Sequence, residues 1–231
     1  PVNTWQHWND SVATLSGAAY AFSSLVNADD TKLNATGGSL GLPLLTSLVA
    51  GQLSLAGGAT ATVPLLSNID GASLIVGGGV TLAVPSANSY SQPNGSNTGI
   101  LRANGTGSVL DLSGVTSFDM GPAHSVTLQI EALSGGRVLL PNVTQISDTA
   151  ANAARQVDLL ADGAGSQIVL TALTNLTQNS LWSDGWRSSL TARSGGSIDA
   201  PNLNTLRRVD VTLNGTGTLP VNTWQIGRAH V

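Results

Sequence analysis

The chain has 231 residues, of which 41% are hydrophobic, 10% charged and 4% aromatic, and its formal net charge is -4. Its 13 acidic and 9 basic residues form no block of either sign, which excludes a strongly basic nucleic-acid surface and a polybasic membrane patch. Cysteine is absent, which excludes disulfides and thiolate metal sites, and no run of about 18 apolar residues predicts a transmembrane helix.

A short sequence pattern recurs along the chain, and its clearest copy is residues 37–48, GGSLGLPLLTSL. It combines a glycine turn, a short strand with alternating hydrophobic residues, a proline corner and a second strand. The position before the corner recurs at Phe22, Leu42, Val63, Val84, Leu112, Leu140, Leu170, Ala200 and Leu219. The early steps are 20 or 21 residues, the middle ones 28 to 30 and the last 19.

This spacing is too short for a crossover helix between parallel strands, and the composition favours strand and turn residues over helix formers. We therefore predict an all-β fold, a right-handed parallel β-helix (solenoid) of about nine coils with a repeat of ~20 residues. Glycines 37, 57 and 77 should turn the chain between strands, and Leu40, Leu42 and Leu45 should lie inside.

Coil 1 spans roughly residues 12–28, and its Tyr20 and Phe22 alternate as Leu40 and Leu42 do one coil later. From residue 91 onward the coils carry insertions, and each insertion follows the second strand of its coil. The inserted stretches are 91–98, 119–124, 147–154 and 178–187. All four should emerge at one corner and form a loop-rich edge, which is either a binding face or neutral length variation at a tolerant corner.

Aligning Ala103, Ala132, Ala161 and Ala192 tests the register of the later coils. This alignment places Arg102 beside Glu131, and Asp162 beside Arg193, as stacked pairs of opposite charge. No composition change divides the chain, so we predict a single solenoid domain over residues 1–225.

Residues 1–6, PVNTWQ, reappear as residues 220–225, which predicts that the chain is a fragment of a longer repeat protein whose neighbouring repeats contact it. The following IGRAHV is what a common sequencing adapter encodes when translated. We therefore expect residues 226–231 to be a non-native tail.

Catalytic and metal-binding signatures such as nucleophile elbows, Walker loops and HExxH are absent from the sequence. Asp111 and Asp199 share an outward column but lie three coils apart, roughly 14 Å at the usual strand spacing, too far to divide acid and base roles. The sequence therefore predicts no catalytic residue, no metal site and no cofactor.

The strongest binding candidate is SLWSDGWRS, residues 180–188, where Trp182, Asp184, Trp186 and Arg187 share one inserted loop. Exposed tryptophans with a nearby charge can stack on sugar rings or anchor a protein partner. The alternative is that both tryptophans fold back and cap the loop's own small core. Tyr90 and His124 are expected to line the same edge.

The coil sequences SGGRVLLPNVTQI, SGGSIDAPNLNTL and GTGSVLDLSGVTSF resemble the β-strand repeats of large bacterial surface or secreted proteins of the adhesin and autotransporter-passenger type. The resemblance covers nearly the whole chain and implies an extracellular or cell-surface location. It predicts a non-enzymatic stalk or binding scaffold with a glycan or surface-protein partner, and neither nucleic-acid binding nor membrane insertion. The alternative is a carbohydrate-active β-helix enzyme, a polysaccharide lyase or hydrolase.

Overall fold

The computed structural model describes residues 2–92, 98–121, 124–148, 154–179, 186–221 and 225–226. Every strand pair in this part of the chain is parallel, and each strand pairs with its counterpart one coil earlier and one coil later. The described residues contain no α-helix, and Val2–Thr4 forms a single 3-10 turn. The chain is a parallel β-helix of nine coils, which confirms the predicted fold class.

Each coil contributes to up to three faces, numbered here in the order in which the chain visits them. Face 1 is a nine-stranded sheet built from Val12–Ser16, Lys32–Thr36, Gln52–Ala56, Ser73–Gly77, Thr98–Asn104, Val126–Leu133, Arg155–Asp162, Ser188–Arg193 and Val209–Asn214. Face 2 is built from Ala19–Ala21, Ser39–Gly41, Thr60–Thr62, Thr81–Ala83, Val109–Asp111, Arg137–Leu139, Gln167–Val169 and Ser197–Asp199. Face 3 is built from Ser89–Ser91, Ser117–Asp119, Gln145–Asp148, Asn175–Gln178, Thr205–Arg207 and Gln225–Ile226.

The core is a set of stacked inward columns, because alternate residues of a strand point to opposite sides. On face 1 one column contains Ala13, Leu33, Leu53 and Leu74, in register across four coils. Leu40, Leu42 and Leu45 are all buried, as predicted. Burying branched side chains in continuous columns gives the solenoid its stability, since no coil can enclose a core alone.

The turn that leaves face 1 carries the predicted glycines with one correction. Gly37 and Gly57 have φ of 70° and 58°, the left-handed region that glycine adopts without steric cost. In the next coil this position is Gly78, with φ of 67°, and not Gly77. Gly77 still belongs to the face 1 strand, because the step from coil 3 to coil 4 is one residue longer than the glycine spacing suggests.

The predicted register of the later coils is confirmed by stacked charges. Arg102 pairs with Glu131 across adjacent strands, and the two side chains form an ion pair. Arg193 lies beside Asp162, with Nη2 2.9 Å from the carboxylate. This contact holds the pKa of the Asp162 carboxyl below its ordinary value. Such exposed pairs report register more than stability.

The last coil is offset differently from the prediction. Thr218 bridges Ser197, 21 residues earlier, whereas the sequence alignment placed it beside Asp199. The face 1 strand agrees with the longer step, since Val209 pairs with Ser188. The turn before residue 218 therefore uses two more residues than the pattern implied. Ile226, the first residue of the expected tail, pairs with Leu206, and residues 227–231 lie outside the described part of the chain.

No α-helix in the described ranges has the length and apolar character needed to cross a bilayer.

Candidate functional site

The four insertions all lie between the end of a face 3 strand and the start of the next face 1 strand. The face 3 strands end at Ser91, Asp119, Asp148 and Gln178, and the face 1 strands that follow begin at Thr98, Val126, Arg155 and Ser188. These ends are stacked in register on consecutive coils. The insertions thus emerge at one corner, as predicted, and we call this corner the insertion edge.

Tyr90 does not project from the insertion edge, so its predicted place on the exposed edge is wrong. Its side chain is 1% exposed and packs against Phe118 with ring centroids 5.3 Å apart. The hydroxyl donates to the carbonyl of Ala72 at 3.2 Å and accepts from Gln92 Nε2 at 3.2 Å. Burial raises the pKa of the Tyr90 phenol well above its ordinary value, so the hydroxyl keeps the proton it donates.

The sequence contained a signal for this burial. Tyr90 pairs with Phe118, which pairs with Ile146 and then Leu176, so these four residues form one inward column of face 3. A tyrosine at an inward position is expected inside when its hydroxyl finds a partner, which Ala72 and Gln92 provide.

Gly99 makes room for the Tyr90 hydroxyl, and adding a methyl group there is expected to destabilise the chain. A Cβ at Gly99 would lie 2.1 Å from the Tyr90 Oη and 2.6 Å from Gln92 Nε2. We expect Gly99→Ala to lower the free energy of unfolding by about 1–3 kcal/mol, measured by urea denaturation. Adding Tyr90→Phe removes the clashing oxygen and should recover part of that loss. Strictly additive effects of the two substitutions would contradict this steric coupling.

A buried ion pair lies beneath the insertion edge, between coils 6 and 7. Arg155 Nη1 donates to Asp148 Oδ1 at 2.9 Å, and the two side chains are 1% and 3% exposed. Asp148 ends a face 3 strand and Arg155 begins the next face 1 strand, so the pair closes the base of one insertion. Each charge is taken out of water, and each depends on its partner.

The next coil continues this polar base with uncharged groups. Gln178 Oε1 accepts from the backbone N–H of Ser188 at 2.8 Å, while Gln178 Nε2 donates to the carbonyls of Arg155 and Trp186. The Ser188 hydroxyl accepts from the N–H of Val157 at 3.0 Å. Gln92 is buried in the corresponding place two coils before Asp148. Buried, hydrogen-bonded polar side chains therefore join the two ends of successive insertions.

Sequence reasoning missed this polar base because it assigned charged residues to the outside. The available signal was position: Gln92, Asp148 and Gln178 each follow an inward aromatic or aliphatic residue by two, and alternation places them inward as well. In an uninterrupted β-helix such positions would be aliphatic.

Of the other predicted binding residues, His124 is exposed and leads into Val126–Leu133. Trp186 and Arg187 are half-buried and lead into Ser188–Arg193, two coils further on. Two coil steps correspond to roughly 10 Å at the usual strand spacing. Trp182 and Asp184 lie outside the described residues.

Arg187 has a partner within the chain. Its Nε donates to Asp210 Oδ1 at 2.5 Å, in the neighbouring coil. Trp186 follows Arg155 by the same 31 residues that separate Asp158 from Ser189, so it continues the inward column above Arg155. Its half-burial fits that position, and it leaves part of the indole at the surface.

The two acids considered for catalysis lie where the register placed them. Asp111 and Asp199 belong to one face 2 column, separated by Leu139 and Val169. Each lines a separate groove, Asp111 with Ser113 and Gly114, and Asp199 with Gln167 and Thr218. Among the described residues no group of three His, Cys, Asp or Glu side chains is placed to hold a metal ion.

Comparisons of this chain with protein-family models, with curated protein sequences and with solved structures found no match.

Proposed function

We propose that this chain is a non-enzymatic, extracellular β-helical repeat segment that serves as a stalk and presents the insertion edge to a glycan or a surface protein. The observation that carries the proposal is the stacking of four insertions at one corner of a regular solenoid. A rigid scaffold that holds variable loops side by side is a common way to build a binding surface.

The polar base beneath the edge supports this role. Hydrogen bonds from Gln178 and the ion pair between Asp148 and Arg155 fix where the insertions leave the core. Fixing the loop ends lowers the entropy that a ligand must remove on binding. Neutral length variation would not by itself require buried charges under the loops, whose desolvation is costly.

Trp186, Trp182 and His124 are the side chains that we assign to contact with the ligand, together with Asp184 and Arg187. Trp186 offers a partly exposed indole next to the ion pair of Arg187 and Asp210. An aromatic surface beside a fixed charge pair suits a sugar ring, whose C–H face stacks on the indole while its hydroxyls bond to the charged groups.

The test compares binding by the wild-type chain and by Trp182→Ala plus Trp186→Ala on a glycan array and on immobilised host-matrix proteins. We expect the double variant to bind at least about tenfold more weakly, as for the loss of aromatic anchors. Trp5→Ala is the matched control, because Trp5 is 44% exposed and precedes coil 1, away from the insertions. Equal binding by the wild type and the double variant would remove this loop from the proposal.

A second assay separates this proposal from that of a carbohydrate-active enzyme. Incubation with polysaccharides should release neither reducing ends nor unsaturated sugars. Release of either product by the wild type, and its loss in Asp111→Asn or Asp199→Asn, would favour the enzyme instead.

A further inference from the structure

The two copies of PVNTWQ occupy equivalent places in the solenoid. After the first copy, His7 bridges Asn27 in the outward column of face 3. At the end of the second copy, Gln225 pairs with Thr205, which lies in that column eight coils later. The first copy therefore precedes coil 1 in the way that the second copy completes coil 9.

The strands at the two edges of face 1 carry matching inward columns. Val12–Ser16 and Val209–Asn214 are the edge strands of the nine-stranded sheet. One inward column runs from Ala13 to Val211, and the next runs from Leu15 to Leu213. Val211 and Leu213 are 42% and 49% exposed, although their partners one coil earlier are fully buried. The coil 9 edge thus exposes apolar surface in the pattern that another coil would cover.

The corners of these two edge coils carry opposite charges in equivalent positions. Asp10 and Arg208 both adopt the left-handed conformation, with φ of 49° and 54°. Asp10 lies two residues before Val12, and Arg208 lies two residues before Asp210, which ends the column that begins at Val12. Stacking a further coil 1 on coil 9 would therefore place a carboxylate over a guanidinium. Within the chain, such stacked positions form ion pairs at Arg102 and Asp162.

We propose that a second copy of this chain docks head to tail, so that its Val12–Ser16 strand extends face 1 beside Val209–Asn214. The parallel direction of all strands allows this addition, because both edges present the same strand polarity. The docked copy covers Val211 and Leu213 with its own Leu15 and Ala13. The contact is heterologous, so each added copy leaves a new coil 9 edge for the next. This inference is independent of what the insertion edge binds.

Docking also requires a segment exchange. In the joined solenoid, residues 1–6 of the added copy and residues 220–225 of the first copy fall at the same place on face 3, because coil 9 of one is followed by coil 1 of the other. One of the two identical segments has to leave that place. The competition lowers the apparent affinity by the fraction of molecules in which the place is vacant.

The test is sedimentation velocity of the full chain over a range of concentrations. The wild type should form dimers and longer species as concentration rises, and Val211→Lys plus Leu213→Lys should remain monomeric. Leu65→Lys is the matched control, since Leu65 is 47% exposed but lies in coil 3, and it should associate as the wild type does. A wild type that is monomeric at every concentration, or equal association by the lysine variants of both places, would overturn the proposal.

A charge exchange tests the register of docking. Asp10→Arg alone and Arg208→Asp alone should each associate at least about tenfold more weakly, because like charges then meet at the junction. An equimolar mixture of the two should associate again in alternating order, since each junction then joins opposite charges. Circular dichroism confirms that each variant is folded. A mixture no better than its components would overturn the assigned register.

Deleting residues 1–6 tests the exchange itself. Removing one of the competing segments should strengthen association by about tenfold at the same concentration. Unchanged or weaker association by the folded, shortened chain would overturn the segment exchange.

Discussion

Replacing Arg155 by methionine is expected to lower the free energy of unfolding by about 3–5 kcal/mol, measured by urea denaturation. The substitution leaves the Asp148 carboxylate, which is only 3% exposed, without the guanidinium that lies 2.9 Å away. A buried charge that loses its partner keeps its full desolvation cost, whereas methionine fills a similar volume. The loss therefore comes from charge and hydrogen bonding rather than from an empty cavity.

The matched control is Arg193→Met, which breaks the pair with Asp162 at the surface. There the two side chains are 48% and 29% exposed, so water solvates whichever charge remains, and we expect a change of at most about 1 kcal/mol. Combining Arg155→Met with Asp148→Leu should be less destabilising than Arg155→Met alone, because no buried charge remains. If Arg155→Met costs no more than Arg193→Met, the polar base does not anchor the insertions.

The coil architecture could be predicted from the sequence because its determinants are local. Glycine turns and period-two alternation recur at a fixed spacing, so one clear copy at residues 37–48 fixes the register of its neighbours. The stacked pair of Arg102 and Glu131 follows directly from that register. The prediction failed at Thr218, where a longer turn shifts the last coil and no apolar residue records the change.

The insertion edge could be located but its side chains could not. Its position follows from the lengths of the coils, whereas the insertions have no repeating template from which to infer inward or outward orientation. Tyr90 was assigned outside because it adjoins an insertion, yet it completes an inward column with Phe118. Asp148 and Arg155 were not paired in advance because they are separated by the insertion that they close. Only the stacking of faces 1 and 3 brings them together.

The second large effect is expected at the turn between faces 1 and 2, where successive coils approach most closely. A Cβ at Gly136 would lie 2.2 Å from the carbonyl oxygen of Ala103 and 2.5 Å from its carbon. Gly196 and Gly217 face the carbonyls of Ala161 and Ala192 in the same way. None of these three glycines has a positive φ, so their absence of side chain is required by contact between coils rather than by backbone conformation.

We therefore expect Gly136→Ala to destabilise the chain by about 3 kcal/mol, the upper range for overpacking, because backbone atoms rather than a flexible side chain must move. Gly77→Ala is the matched control, since its Cβ would meet only the Asn104 carbonyl at 3.6 Å, an ordinary contact. Restricting the unfolded chain without a clash should make that variant about 0.4–1 kcal/mol more stable. Opposite signs for these two substitutions in urea denaturation would locate the tight contact at the turn. Equal effects would mean that the coils separate there at little cost, and a solenoid that yields so easily would not hold the insertion edge in one position.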